Sequence, residues 1–179
     1  MTSENEPQRP EPPIQAPEYE TLQGFLEFLR ATIAWKCSGL TAEQANTTAA
    51  ASDMTLGGIL KHLAWVEDNW FGQFLHGQDP APEWAGADWN ADPDWEWTSA
   101  ASEDPEELLA LWNAKVDQSR RLTDRAMSDG GLDRLADRAW SDGKRVSLRW
   151  ILTHMIEEYA RHAGHADLIR ESVDGLTGE

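Results

Sequence analysis

Apolar residues recur at helical spacing in four stretches of the chain. From about Tyr19 to Cys37, Leu22, Phe25, Leu26, Leu29 and Ile33 repeat at three and four, and Gly39 stands where such a helix should stop. A second stretch opens after Ser52-Asp53, two good N-cap types, and runs to about Leu75 with Leu56, Ile59, Leu63, Val66, Trp70 and Phe74 on one face. The third begins at Asp104-Pro105-Glu106-Glu107, where a capping acid, a proline at the first helical position and two early acids mark an N-terminus. Its stripe is Leu109, Trp112, Val116 and Ser119, and it continues to about Met127. The fourth runs from near Ser147 to about Val173, ahead of Asp174-Gly175.

Between the second and third stretches lie roughly thirty residues without period, longer than helix connections usually are. They predict a long crossover. Asp142-Gly143 is a hairpin turn pair, so a small β-ribbon at most is expected beside it. No repeat and no βαβ alternation occurs. The reading is an all-α fold, a four-helix bundle with a long crossover between its second and third helices.

Composition narrows the picture. A chain of 179 residues suits one domain. Residues 1–17 are acidic and proline-rich without an apolar stretch, which predicts a disordered arm before a domain at 18–179 and argues against a signal peptide. No apolar run approaches the ~20 residues that a membrane span needs. Cys37 is the only cysteine, which excludes an intrachain disulfide and leaves the cytoplasm as the expected compartment. Fifteen basic against thirty-two acidic side chains give a net charge of −17, a field that repels nucleic acid and anionic lipid.

The candidate chemistry lies in the fourth stretch, which holds His154, His162 and His165 of the chain's five histidines. At about 100° per residue, Glu158 falls in the middle of that helix's apolar stripe, with Ile151, His154, Met155, His162, His165 and Ile169 around it. An ionised carboxylate facing a core is costly unless it is paired, hydrogen-bonded or bound to a cation. Glu158 and His162 are one turn apart and converge on one point, and His154 and Glu158 have the same spacing. His154 and His162 are about 12 Å apart along the axis, too far to share an ion, so only one of the two pairs serves. His62, beside Ile59 and Val66, is the better third ligand; His76 sits on a glycine-bounded loop. Two imidazoles and a carboxylate with an open fourth position match a catalytic zinc site.

Several features have plainer readings. Trp84, Trp89, Trp95 and Trp97 in the crossover either cover the site or pin a long loop, and pinning is expected. Lys144, Arg145 and Arg149 are read as a solvated basic patch rather than an anion site. Cys37 is read as a small buried residue rather than a ligand or nucleophile. HExxH, paired Glu-x-x-His motifs, a phosphate loop and GxSxG are all absent.

The stretches TLGGILKHLAWVEDNWFGQFLHG (55–77) and VSLRWILTHMIEEYARHAGHADLIRE (146–171) resemble the DinB-like metal-binding bundle superfamily. More narrowly they are similar to its actinobacterial branch of mycothiol-dependent transferases and maleylpyruvate isomerase. The resemblance covers about residues 20–175. It implies an up-down-down-up four-helix bundle and a metal triad that carries over to His62, Glu158 and His162, with Glu rather than His first on the last helix, as in the mycothiol branch. His165 stands where many relatives have Gln, and neither the proline-rich arm nor the tryptophan-rich crossover belongs to the shared motifs.

The resemblance further implies a metal-dependent thiol S-transferase. A divalent metal, zinc by preference with nickel or iron as alternatives, would activate a mycothiol-type thiol toward a small electrophile. The competing expectations are a mycothiol-dependent isomerase, a non-catalytic metal- or ligand-binding bundle, and a stress-related structural homodimer. No nucleic acid or membrane partner is expected.

Overall fold

The computed structural model of the chain describes residues 9–49 and 51–178. The protein is all-helical. Four long helices carry it: α1 (Glu18–Lys36), α3 (Leu56–Glu67), α5 (Pro105–Ser128) and α6 (Leu148–Asp174), with two short ones, α2 (Ala42–Ala45) and α4 (Trp95–Ala100), in the connections. Among the described residues the only β pairing is a single antiparallel bridge between Leu135 and Ser147, beside the expected Asp142-Gly143 turn.

Local chemistry sets the helix ends. Asp104 Oδ1 accepts from the Glu106 amide ahead of Pro105, and Ser147 Oγ accepts from the Trp150 amide, so α5 and α6 start where their caps predict. Gly175 closes α6 at φ 77°, a left-handed conformation that glycine adopts at no steric cost. The start of α3 differs from expectation. Thr55, not Ser52 or Asp53, is its cap, accepting from the Gly58 amide, while Ser52 turns back to bind the Met54 amide.

α1 packs along α6 and α3 along α5, and α3 also meets α4 and α6. The core between them holds Leu26, Ile33, Ile59, Leu63, Trp112, Val116, Ile151, Met155 and Tyr159. Two expected core positions face elsewhere for an identifiable reason. Past Glu67 the helix widens into a π-helix over Asp68–Leu75, so the apolar stripe rotates. Phe71 and Leu75 are buried instead, and Trp70 and Phe74 turn to a half-buried surface. Phe25 of the first stripe also faces outward, 47 % exposed.

Residues 1–8 of the expected arm lie outside the described residues. Residues 9–17 run against α1: Arg9 donates to Thr32 Oγ1 and lies over the rings of Phe28 and Trp35, and Pro13 sits against Gly24, where a Cβ would come within 2.4 Å of the proline ring.

A buried polar network ties the four long helices together. Arg30 of α1 donates from Nε and Nη2 to the two oxygens of Glu67 of α3, at 2.9 and 2.7 Å. Burial first, and then the Glu67 charge, push the Tyr159 phenol of α6 upward, so it stays protonated and donates to Glu67 Oε1 at 2.6 Å. Trp112 Nε1 of α5 donates to the Tyr159 oxygen at 2.8 Å. Three donors, two from Arg30 and one from Tyr159, meet the Glu67 carboxylate, which is what makes burying the charge tolerable.

Arg30→Ala is therefore expected to cost about 3–5 kcal/mol, the penalty of an uncompensated buried carboxylate, read as a lower urea midpoint. A pH effect follows from Glu27, which bonds both Arg30 and Arg120 of α5. Burial raises its pKa, but the Arg120 hydrogen bond and the Arg30 charge outweigh this and hold it below its ordinary value of 4.5. Its contribution is thus present above about pH 4.5 and lost as pH falls through the lower, folded-state value. The stability gap between wild type and Glu27→Gln should narrow over that acid range in urea titrations, and a gap constant with pH would contradict the assignment.

Candidate metal centre

α3 and α6 bring the three expected ligands together. One ligand atom each from His62, Glu158 and His162 lie within 4.8 Å of one another. The rings of His62 and His162 are 4.9 Å apart between centroids, and His162 Nε2 is 3.6 Å from Glu158 Oε2. The other oxygen of Glu158 faces His154 Nε2, also at 3.6 Å. The carboxylate is thus flanked by imidazoles on both sides, as the four-residue spacing of 154, 158 and 162 requires.

The electrostatics suit a cation. The nearby His162 imidazole lowers the Glu158 pKa, desolvation opposes this, and His154 and His62 lower it further. No lysine or arginine pairs with Glu158 among the described residues; the two histidines of α6 are its side-chain neighbours on that helix. His162 is 5 % exposed, with its Nδ1 buried and, among the described residues, without a hydrogen-bond partner. Two imidazole nitrogens and an ionised carboxylate, meeting at distances beyond hydrogen bonding and half-shielded from water, form a donor set that fits a divalent transition metal.

A second group, His154, Glu157 and Glu158, also brings ligand atoms within 4.8 Å. It draws on one helix only, and Glu157 is 47 % exposed and pairs with Arg161. His154 is meanwhile held between aromatic rings, stacked on Trp150 at 5.0 Å and edge-on to Trp70 at 4.8 Å. The His62 group is the better-built of the two because helices from different parts of the chain close on it. His165 lies beside His162, rings 5.4 Å apart, with its own Nδ1 buried and, among the described residues, unpartnered. Burial and the His162 and Arg161 charges lower its pKa. His76 is elsewhere, against the Leu122 carbonyl at 2.8 Å.

Sequence reasoning missed one residue of the site. Glu96, on α4 inside the expected aperiodic crossover, is 5 % exposed, and its Oε1 lies 3.1 Å from His62 Nδ1. Neighbouring Trp97 stacks on the His62 ring at 4.7 Å and also meets His162 at 5.6 Å. α4 is held in place by Lys61, which donates to Ser99 Oγ at 2.7 Å, pairs with Glu103 and lies over the Trp95 ring. The only advance signal was the Trp-Glu-Trp at 95–97, read as loop because it shows no period.

The crossover tryptophans therefore divide. Trp84 is a pin: its Nε1 donates to the buried Asp68, which the Ala81 amide and Gln73 also bind. Trp97 covers the site. Of the basic residues before α6, Arg149 pairs with Glu18 and Asp133 and Lys144 with Asp142, all at the surface.

The model for mycothiol-S-transferases matches residues 21–175. The chain belongs to the mycothiol-S-transferase family. This DinB-like family places it among mycothiol-related transferases, and it is the family that the motifs at 55–77 and 146–171 resemble. A crystal structure of a conserved protein from Enterococcus faecalis shares the fold, with a TM-score of 0.57 and 19 % identity over 90 % of this chain and 100 % of that one. No curated protein matches the chain. Among the described residues of this family member, no helix is long and apolar enough to cross a membrane.

Family membership turns attention to thiols, and the chain's own thiol is not equipped to react. Cys37 is 1 % exposed at the end of α1, and burial pushes its pKa up to about 12. A disulfide reagent should therefore modify Cys37 only in denaturant. Rapid modification of the native protein would contradict this placement.

Proposed function

We propose that this family member is a metal-dependent thiol S-transferase in which His62, Glu158 and His162 hold a divalent ion that activates a mycothiol-type thiol. The observation that carries the reading is the convergence of two imidazoles and an ionised carboxylate from α3 and α6 within 4.8 Å. A set of two histidines and one carboxylate leaves a coordination position open. An ion there would supply Lewis-acid stabilisation of a thiolate at neutral pH. Zinc suits these ligands best, and nickel and iron also accept them.

The protein's own residues then have separate duties. Trp97 keeps water from one face of His62, and the half-buried carboxylate of Glu158 offsets the charge of the ion. Beyond His154 a ring surface of half-buried Trp70 and exposed Trp150 and Trp140, with contacts of 5.2 and 5.8 Å, leads away from Glu158. That surface suits the approach of an apolar electrophile, at whose electron-poor carbon the sulfur would form a C–S bond as the thiol gives up its proton and a leaving group departs with the bonding pair. The pairing of α1 with α6 and α3 with α5, and the connection carrying α4, support an up-down-down-up bundle with a long crossover.

The wild-type protein should bind about one zinc per chain. His62→Ala and His162→Ala should remove most of it, whereas His154→Ala should retain it, by elemental analysis after dialysis. Loss on His154→Ala with retention in His162→Ala would move the site one turn toward the start of α6. Mycothiol and an alkylating probe should then react faster with metal-loaded wild type than with Glu158→Gln. Equal rates, with metal bound in wild type, would favour a binding protein without turnover.

A further inference from the structure

Glu96 is an expensive residue to place where it is. Its carboxylate is 5 % exposed, yet among the described residues Oε2 is buried without a hydrogen-bond partner and Oε1 has His62 Nδ1, at 3.1 Å, as its sole side-chain partner. A buried acid with one partner destabilises the fold unless that partner carries positive charge or polarity to offset it. Lys61, the nearest buried cation on α3, is committed to Ser99 and Glu103 instead. The imidazole is therefore the group that accounts for the acid.

The geometry sets what that contact does. With Nδ1 bonded to a carboxylate, the proton of a neutral His62 ring stays on Nδ1, and Nε2 is left as a lone pair. Trp97, the next residue of the same short helix, stacks on the ring face with an interplanar angle of 24°. Edge and face of His62 are thus both fixed by α4, while the ring also meets His162 at 4.9 Å between centroids.

We propose that Glu96 is a positioning residue of the metal centre: it fixes the tautomer and orientation of His62, and so sets metal affinity from within the crossover. The inference rests on the reading of His62 as a ligand. Carboxylate partners of ligating histidines typically contribute 10- to 100-fold in affinity. The crossover is then part of the site.

The test uses the full chain as wild type, Glu96→Gln, Glu96→Ala and His62→Ala, with zinc affinity read by competition against a chromophoric chelator. The metal-free proteins are also studied by nitrogen-15 NMR, which reports which ring nitrogen of His62 is protonated. Wild type should show the Nδ1–H form, and Glu96→Ala should lose that preference and bind zinc about 10- to 100-fold more weakly. Glu96→Gln, whose amide oxygen still accepts, should keep the Nδ1–H form and lose less affinity. Circular dichroism establishes that each variant is folded; if Glu96→Ala is not, the tautomer in wild type and Glu96→Gln decides. Wild-type affinity in Glu96→Ala alongside weak binding by His62→Ala overturns the role of Glu96 alone, as does a wild-type His62 protonated on Nε2 or on both nitrogens. Equal zinc affinity in wild type and His62→Ala overturns the metal reading beneath it.

Discussion

The structure is organised around a buried carboxylate that four helices agree to satisfy. Glu67 is fully enclosed, and it takes a two-pronged bond from Arg30, a hydroxyl from Tyr159, and through Tyr159 the indole of Trp112. Such a network contributes little if any one member is displaced, because the remaining charge then has no water and no partner. It therefore acts as a registration device: α1, α3, α5 and α6 can pack in the observed rotation or leave a charge stranded.

That registration reaches the candidate metal centre directly. Tyr159 adjoins Glu158 in sequence, so the rotation of α6 that buries the phenol also sets how Glu158 meets His62 of α3. On α3, Glu67 lies at the last α-helical position before the backbone widens, and His62 lies one residue past one turn ahead of it. The same two helices carry Glu67 and Tyr159 of the polar network and the His and Glu donors. A rigid polar core next to a flexible coordination requirement is how ligand side chains are held without a cofactor having to organise them.

The expanded turn after Glu67 has a second consequence, because it shifts Trp70 and Phe74 out of the core and aligns Asp68 to receive the crossover. Asp68 bonds Trp84, Ala81 and Gln73, and approaches Lys115 at 3.5 Å, so the start of the connection is anchored at one end of α3. Lys61 anchors the far end through Ser99 and Glu103. Between these two anchors, α4 delivers Glu96 and Trp97 to His62. An irregular connection has become a wall of the site because the buried charges of Asp68 and Lys61 hold it at two places.

Much of this was legible along the chain, and what was not has a common cause. Apolar periodicity and capping residues located the four long helices, since both act within a few residues. The four-residue spacing of His154, Glu158 and His162 implied convergence, and the cost of an acid on an apolar stripe marked Glu158 as the residue to explain. The choice between the two histidine pairs needed the second helix, because only its approach distinguishes His162, facing His62, from His154, caught between Trp70 and Trp150. The π-helix, the cap at Thr55, and the contacts of Glu96 and Trp97 depend on groups that are distant in sequence and meet only when α4 docks. Local spacing fixed which side chains share a helix face; tertiary packing alone decided which faces meet, because the desolvation that makes a buried charge costly exists only once the helices have closed over it.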